Sequence, residues 1–245
     1  MKFSCYAVQF ESLPCRFEAN YSKLLTFLNF CEKGSLVVFP EVAATAFCYE
    51  EIERAVKFSE RVFEELQNFS KGLELTVVIT GYEQINGKLF NSVKVLDRGR
   101  EVLSRPKVKL FKPGREHIFF TEGRLSEVQV AQTSLGVLAP VICFELRFYE
   151  VLSRLKELGG EVFTVPAQWG RARREHWSCL LRARAIELQR FFVGANGTGK
   201  EMGGCSAVID PWGRILAECK DAEGLIRAEV DTTVIEQVER KLPLN

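Results

Sequence analysis

Histidine is almost missing from this chain: two residues in 245, His117 and His176. Two imidazoles are too few for a typical zinc site, and His176 with Cys179 one helical turn later supplies at most half of one. No metal and no cofactor is expected. A cysteine–histidine pair stays open, although neither histidine has an evident orienting partner, so carboxylates and lysine offer another route for proton transfer. An excess of one charge is missing too. Thirty-three Lys and Arg stand against 32 Asp and Glu, a formal charge of +1, which argues against nucleic acid as a partner and against an acidic disordered tail. There is no run of about 18 apolar residues to span a bilayer, and the start MKFSCYAVQFESLP turns polar before any signal-like core forms. The expectation is a cytoplasmic protein with no membrane partner. A CxxC pair and a linker rich in Pro, Gly or Ser are also absent, as are internal repeats, so the eight cysteines read mostly as small buried hydrophobes and residues 1–245 as one domain.

What is present is a large apolar fraction, 47%, enough for a substantial core. Short runs rich in Val, Ile and Phe (SLVVFP, LTVVITG, SLGVLAPVICF, EVFTVPA, FFVGAN) alternate with amphipathic stretches, an α/β pattern. Helices are expected around residues 20–32, 49–70, 146–158 and 173–189, the third closed by Gly159-Gly160. Turns near Ile85-Asn86-Gly87 and Asp97-Arg98-Gly99 add antiparallel hairpins, hence mixed sheets.

Two places carry possible chemistry. LVVFPE ends a buried run on the carboxylate of Glu41, and VLAPVICFELRF delivers Cys143 at the end of another, shortly before a helix. Unpaired amides near a helix N-terminus favour an anion, so they are expected to lower the thiol pKa and to offer the Phe144 N–H to an oxyanion. An ammonium placed about 4 Å from such a thiolate would contribute roughly 4 kcal/mol at an effective dielectric near 20, and a carboxylate such as Glu41 at similar range would offset most of that, leaving one proton shared between Cys143 and Glu41. Pro166-Ala167-Gln168-Trp169-Gly170 ends a further strand and stands to wall a pocket, with Gln168 and Trp169 as lining residues. Arg171, Arg173 and Arg174 then precede a helix, where cations oppose the dipole; Arg173 is the candidate to meet a distal carboxylate of a substrate. A solvated basic turn is the plain alternative.

With those residues in view, the chain resembles the nitrilase superfamily of carbon–nitrogen hydrolases over nearly its whole length. Phe39-Pro40-Glu41, Pro106-Lys107-Val108-Lys109-Leu110-Phe111, Cys143-Phe144-Glu145-Leu146-Arg147-Phe148 and the later blocks at 182–187, 196–199 and 206–213 match family segments in order. The resemblance implies a four-layer αββα sandwich that pairs into a homodimer or higher oligomer. It implies Glu41 as general base, Lys107 as oxyanion cation, Cys143 as nucleophile and Glu116 as a second carboxylate beside it. The reaction implied is hydrolysis of a small amide through a thioester, including a monoamide of a dicarboxylic acid; a nitrilase or N-carbamoyl hydrolase is the alternative within the class. A non-catalytic binding protein or a thiol redox sensor is the alternative outside it. Lys109, where many members have histidine, and Tyr149, where many have proline, depart from the pattern and bear on the substrate subgroup.

Overall fold

Alternation of side chains across an extended strand lets one apolar run feed two cores at once, and the strands of this protein do so. The computed structural model describes residues 1–244. In chain order its first part is β1 (Lys2–Gln9), α1 (Phe17–Leu28), β2 (Leu36–Val38), α2 (Ile52–Gly72), β3 (Thr76–Ile85), β4 (Lys88–Asp97) and β5 (Arg100–Pro106). The one-turn α3 (Glu116–Phe119) and β6 (Ala131–Thr133) lead to β7 (Gly136–Pro140), α4 (Tyr149–Glu157), β8 (Val162–Ala167), α5 (Arg174–Leu188), β9 (Phe191–Asn196), β10 (Ser206–Ile209) and β11 (Ile215–Cys219). The described chain closes with β12 (Gly224–Asp231) and α6 (Thr233–Lys241).

One sheet runs β12-β1-β2-β3-β4-β5 and the other β6-β7-β8-β9-β10-β11. Each has an antiparallel first pair, two parallel pairs and two antiparallel pairs. The two halves therefore share one topology, a repeat that leaves no trace in the sequence because packing constrains residue type far more loosely than order. In β1 and β2, Cys5, Ala7, Leu36 and Val38 face the second sheet, whereas Tyr6, Val8 and Val37 join the core under α1 and α2. With α4 and α5 on the far side, the layers are αββα, the sandwich implied by the resemblance.

The expected helices form, each shifted by a few residues. α2 shows the cause of its own docking: Ala55, Ser59, Val62, Leu66 and Ser70 recur at helical spacing and are buried against β3 and β4. Gly81 on β3 makes room there, since a Cβ would lie 2.6 Å from the Phe63 ring. Both hairpins appear, with Asn86 and Gly87 at positive φ between β3 and β4. The helix expected at 146–158 splits into a 3-10 turn at Cys143–Arg147 and α4, and Gly159 closes it at φ 87°. α6, which buries Ile235 and Val238, was not expected. No described helix is long and apolar enough to cross a membrane.

The cysteine reading needs one correction. Cys5, Cys31, Cys143 and Cys205 are free and buried, but Cys15 and Cys48 form a disulfide across 33 residues. Spacing gave no hint of it, because the pairing depends on where the loop after β2 returns to the start of α1. The bond ties that loop, which begins with Glu41, to the segment after β1.

Candidate active site

Strand ends bring the chemistry together. Glu41 follows β2, Lys107 follows β5 and Cys143 follows β7, so the first two come from one sheet and the third from the other. Glu41 bridges the layers through its backbone: its N–H donates to Ala167 O at 3.2 Å, and its carbonyl accepts from Gln168 Nε2 at 3.1 Å. A side chain in this position has no exit to water, which resolves why an apolar strand should end on a carboxylate. Glu41 and Lys107 are both fully buried.

Lys107 Nζ donates to Glu41 Oε1 at 2.6 Å and to Glu116 Oε1 at 2.8 Å. Glu116 is held in turn by the Phe111 N–H at 3.0 Å to its other oxygen, and it is buried, not the solvated loop carboxylate that its sequence context also allowed. Asn91, on β4, adds a third contact: its Nδ2 donates to Glu41 Oε1 at 2.9 Å, and its backbone carbonyl accepts the Lys107 backbone N–H at 2.8 Å. Sequence reasoning assigned Asn91 no role; the signal was a polar Asn-Ser pair within the apolar strand KLFNSVKVL. Glu41 Oε2 has no hydrogen-bond partner among the described residues, and the Cys143 thiol is one of the groups that act to lower the Glu41 pKa.

Cys143 sits in the left-handed region at φ 46°, a conformation that costs a non-glycine residue about 1–2 kcal/mol and persists only where the surroundings impose it. It keeps 7% of its surface exposed and lines a small pocket together with Phe111, Phe144, Arg147, Gln168, Trp169 and Arg173.

The electrostatics correct the expectation of a lowered thiol pKa. Burial first, then the Glu41 charge, push the Cys143 thiol well above its ordinary value, and Lys107 with the Gln168 amide only partly opposes them. The cysteine opens a five-residue 3-10 turn instead of a long helix, so few aligned peptide dipoles oppose this rise. Burial also raises the Glu41 carboxyl, against the pull of Lys107. For Lys107 burial alone would favour the neutral amine, but Glu41 and Glu116 outweigh it and hold the ammonium. The resting proton thus stays on sulfur, beside a carboxylate with heightened affinity for it.

Both histidines are exposed, and neither makes a hydrogen bond to Cys143 among the described residues; His176 Nδ1 lies 2.9 Å from Arg147 Nη2. Of the basic turn, Arg171 and Arg174 pair with Asp221, whereas Arg173 reaches the pocket with its guanidinium 4.9 Å from the Phe111 ring. Arg147, which sequence reasoning passed over as part of a motif, lies 4.7 Å from the Trp169 ring. Neither Arg147 nor Arg173 has a carboxylate partner among the described residues. Trp177 is wholly buried and donates to Cys205 O, a packing residue; Trp169 both packs against it and lines the pocket. Lys109 pairs with Glu150, and Tyr149 is exposed. No described cluster of His, Cys, Asp and Glu has the makings of a metal site.

Comparison with known proteins gives a consistent picture. The sequence profile of the family described as carbon-nitrogen hydrolase matches residues 7–240. The 2-oxoglutaramate amidase of Bacillus subtilis (strain 168) is 27% identical over 252 aligned positions, covering 100% of this chain and 96% of that protein. The deaminated glutathione amidase of Mus musculus is 33% identical over 173 positions, covering 65% of this chain and 53% of that protein. A CN-hydrolase superfamily protein of Xanthomonas campestris, solved with an arsenic adduct in its active site, superposes with a TM-score of 0.91 at 23% identity, covering 99% of this chain and 96% of that one; this likeness is one of fold.

Proposed function

The chain belongs to the carbon–nitrogen hydrolase family, and from that premise we propose that it hydrolyses a small amide bearing a distal carboxylate, with Cys143 as nucleophile. The observation that carries this reading is the buried cluster in which Lys107 holds Glu41 and Glu116 beside a thiol that lines a pocket. In the first half-reaction Glu41 takes the thiol proton as the sulfur bonds to the amide carbon. Lys107 and the Phe144 N–H then stabilise the oxyanion. Glu41 returns the proton to nitrogen, the C–N bond breaks, and ammonia leaves a thioester. In the second half Glu41 deprotonates water, the C–S bond breaks, and the free acid departs with the thiol restored. Glu116 helps to keep Lys107 charged throughout.

Substrate selection rests on Arg147 and Arg173. Two guanidiniums set against aromatic rings, without carboxylate partners, form the walls above the sulfur. Such a pair suits an anionic group at the end of the substrate remote from the amide. The B. subtilis relative is a 2-oxoglutaramate amidase by name, which supports the same substrate class here. Steady-state kinetics test it. Arg173→Met is expected to raise KM roughly 10- to 100-fold for a dicarboxylic monoamide, the usual worth of a hydrogen bond to a charged group, and to leave a neutral amide of equal length unaffected. Equal effects on both substrates reject the assignment.

We also propose that the chain acts as one catalytic unit and assembles as a homodimer or larger oligomer. Ile186, Trp212, Ile215 and Leu216 are large apolar side chains exposed at the surface, which supports a contact between copies. A monomeric mass by light scattering at micromolar concentration would reject that part.

A further inference from the structure

The mechanism uses neither partner of a second buried ion pair, Arg105 with Glu145, and the location of that pair assigns it a task. Both side chains are at most 2% exposed. Arg105 lies two residues before Lys107, and Glu145 two residues after Cys143.

Each oxygen of the Glu145 carboxylate serves a different side of the site. Oε1 accepts the Val108 N–H at 2.7 Å and Arg105 Nη1 at 3.0 Å, which fixes the backbone just after Lys107. Oε2 accepts the Ile142 N–H at 2.8 Å and Arg105 Nη2 at 2.7 Å, which fixes the backbone just before Cys143. Arg105 completes the cross-brace by donating to Pro140 O at 2.6 Å, at the end of β7, and to Pro106 O at 3.1 Å. One planar carboxylate and one planar guanidinium therefore span the gap between the two sheets. They grip the residue next to the ammonium with one hand and the residue next to the sulfur with the other.

The same contacts explain why Cys143 stays at positive φ. Ile142 N–H to Glu145 Oε2, together with the Glu145 N–H to Ile142 O at 2.9 Å, closes the turn around the cysteine from both ends. We infer that the Glu145–Arg105 pair is a positioning element that sets the register between Cys143 and Lys107 and holds the sulfur in its left-handed turn. The inference rests on the proposed roles of those two residues. It goes beyond them in naming what fixes their spacing across a seam that has no strand pairing.

The choice of residues follows from the task. Glutamine at 145 would set an amide NH₂ against a backbone N–H and a guanidinium N–H on one side or the other, so one grip must fail. Lysine at 105 keeps the charge beside Glu145 but replaces a two-pronged fork with a single point. It disturbs the register without leaving a buried carboxylate unpaired.

The test uses Arg105→Lys and Glu145→Gln in the full chain, with two readouts besides thermal unfolding. The first is kcat and KM on an amide substrate. The second is the rate of Cys143 alkylation by iodoacetamide as a function of pH, read by intact mass, which needs no substrate and so stands even if the amide assignment fails. Expected for folded Arg105→Lys is a kcat lower by roughly 10²-fold with KM within a few-fold, the effect of a reacting group misplaced by about 1 Å. Alkylation at Cys143 should show a displaced pH profile. A folded Arg105→Lys protein whose thiol reacts with the parent's profile overturns the inference, whatever its turnover. If Glu145→Gln fails to fold, Arg105→Lys decides alone.

Discussion

Cys143→Ala is expected to lower ammonia release from an amide by about 10⁴-fold or more, because no other group in the pocket can form the acyl intermediate. Alanine occupies the same left-handed backbone at a similar cost, and the turn is held by Glu145 and not by the sulfur, so the fold should persist. Intact mass spectrometry supplies the direct readout. Wild-type protein mixed with a slowly deacylating amide gains the mass of the amide less ammonia, and the alanine variant gains nothing. Substantial turnover by folded Cys143→Ala would remove the thioester route altogether. An adduct on another cysteine, such as the exposed Cys179, would point to adventitious chemistry.

Glu41→Gln carries the second large effect, roughly 10³-fold in kcat, within the range for removing a general base that acts twice in the cycle. Its sign with pH is fixed by the site. Burial, the largest influence, raises the Glu41 carboxyl above the ordinary range near 4.3, and Lys107 offsets only part of the rise. As pH falls through that raised value Glu41 gains a proton and can no longer accept one from sulfur, so activity is lost on the acid side sooner than for a solvent-exposed glutamate. Cys143 sets no opposing acid limb, since its own pKa is raised and the thiol is already protonated at rest. In Glu41→Gln the residual rate should lose this acid limb; an unchanged limb would assign it to another group, with Glu116 first to test. The fold should tolerate the change, because Glu116 still neutralises Lys107 at 2.8 Å and Asn91 can still donate to the amide oxygen. Removing Lys107 instead would leave two buried carboxylates without their cation, and breaking a buried pair in that way typically costs about 3–5 kcal/mol.

Much of this site could be read before any coordinates. Glu41 and Cys143 stood out because each sits at the end of an apolar run, where a charged or reactive side chain is out of keeping with its neighbours, and Lys107 because its segment matches a family in order with theirs. Glu116 was legible by resemblance alone, for its loop looks solvent-exposed in one dimension and is buried only when α3 folds back under the Tyr49 ring, which stacks on Phe119 at 4.1 Å. Asn91, Arg147 and the Arg105–Glu145 brace were not legible. They act through partners 37 to 50 residues away, or across the pocket, and apart from the polar Asn91-Ser92 pair in its apolar strand nothing local marks them. The same reason hid the Cys15–Cys48 bond. The expected low thiol pKa failed because the helix that was to provide the dipole begins only at Tyr149, and because the burial that makes the pocket also penalises the thiolate.

The division of labour between the layers has a mechanical consequence. Acid–base and cationic groups travel with one sheet and the sulfur with the other, so the reaction is housed at a sliding plane. A shear of the layers by the rise of a single strand residue, about 3.3 Å, would part the thiol from its proton acceptor while every ladder within each sheet stayed intact. Turnover is thus the property of this protein most sensitive to slip between two otherwise sound halves.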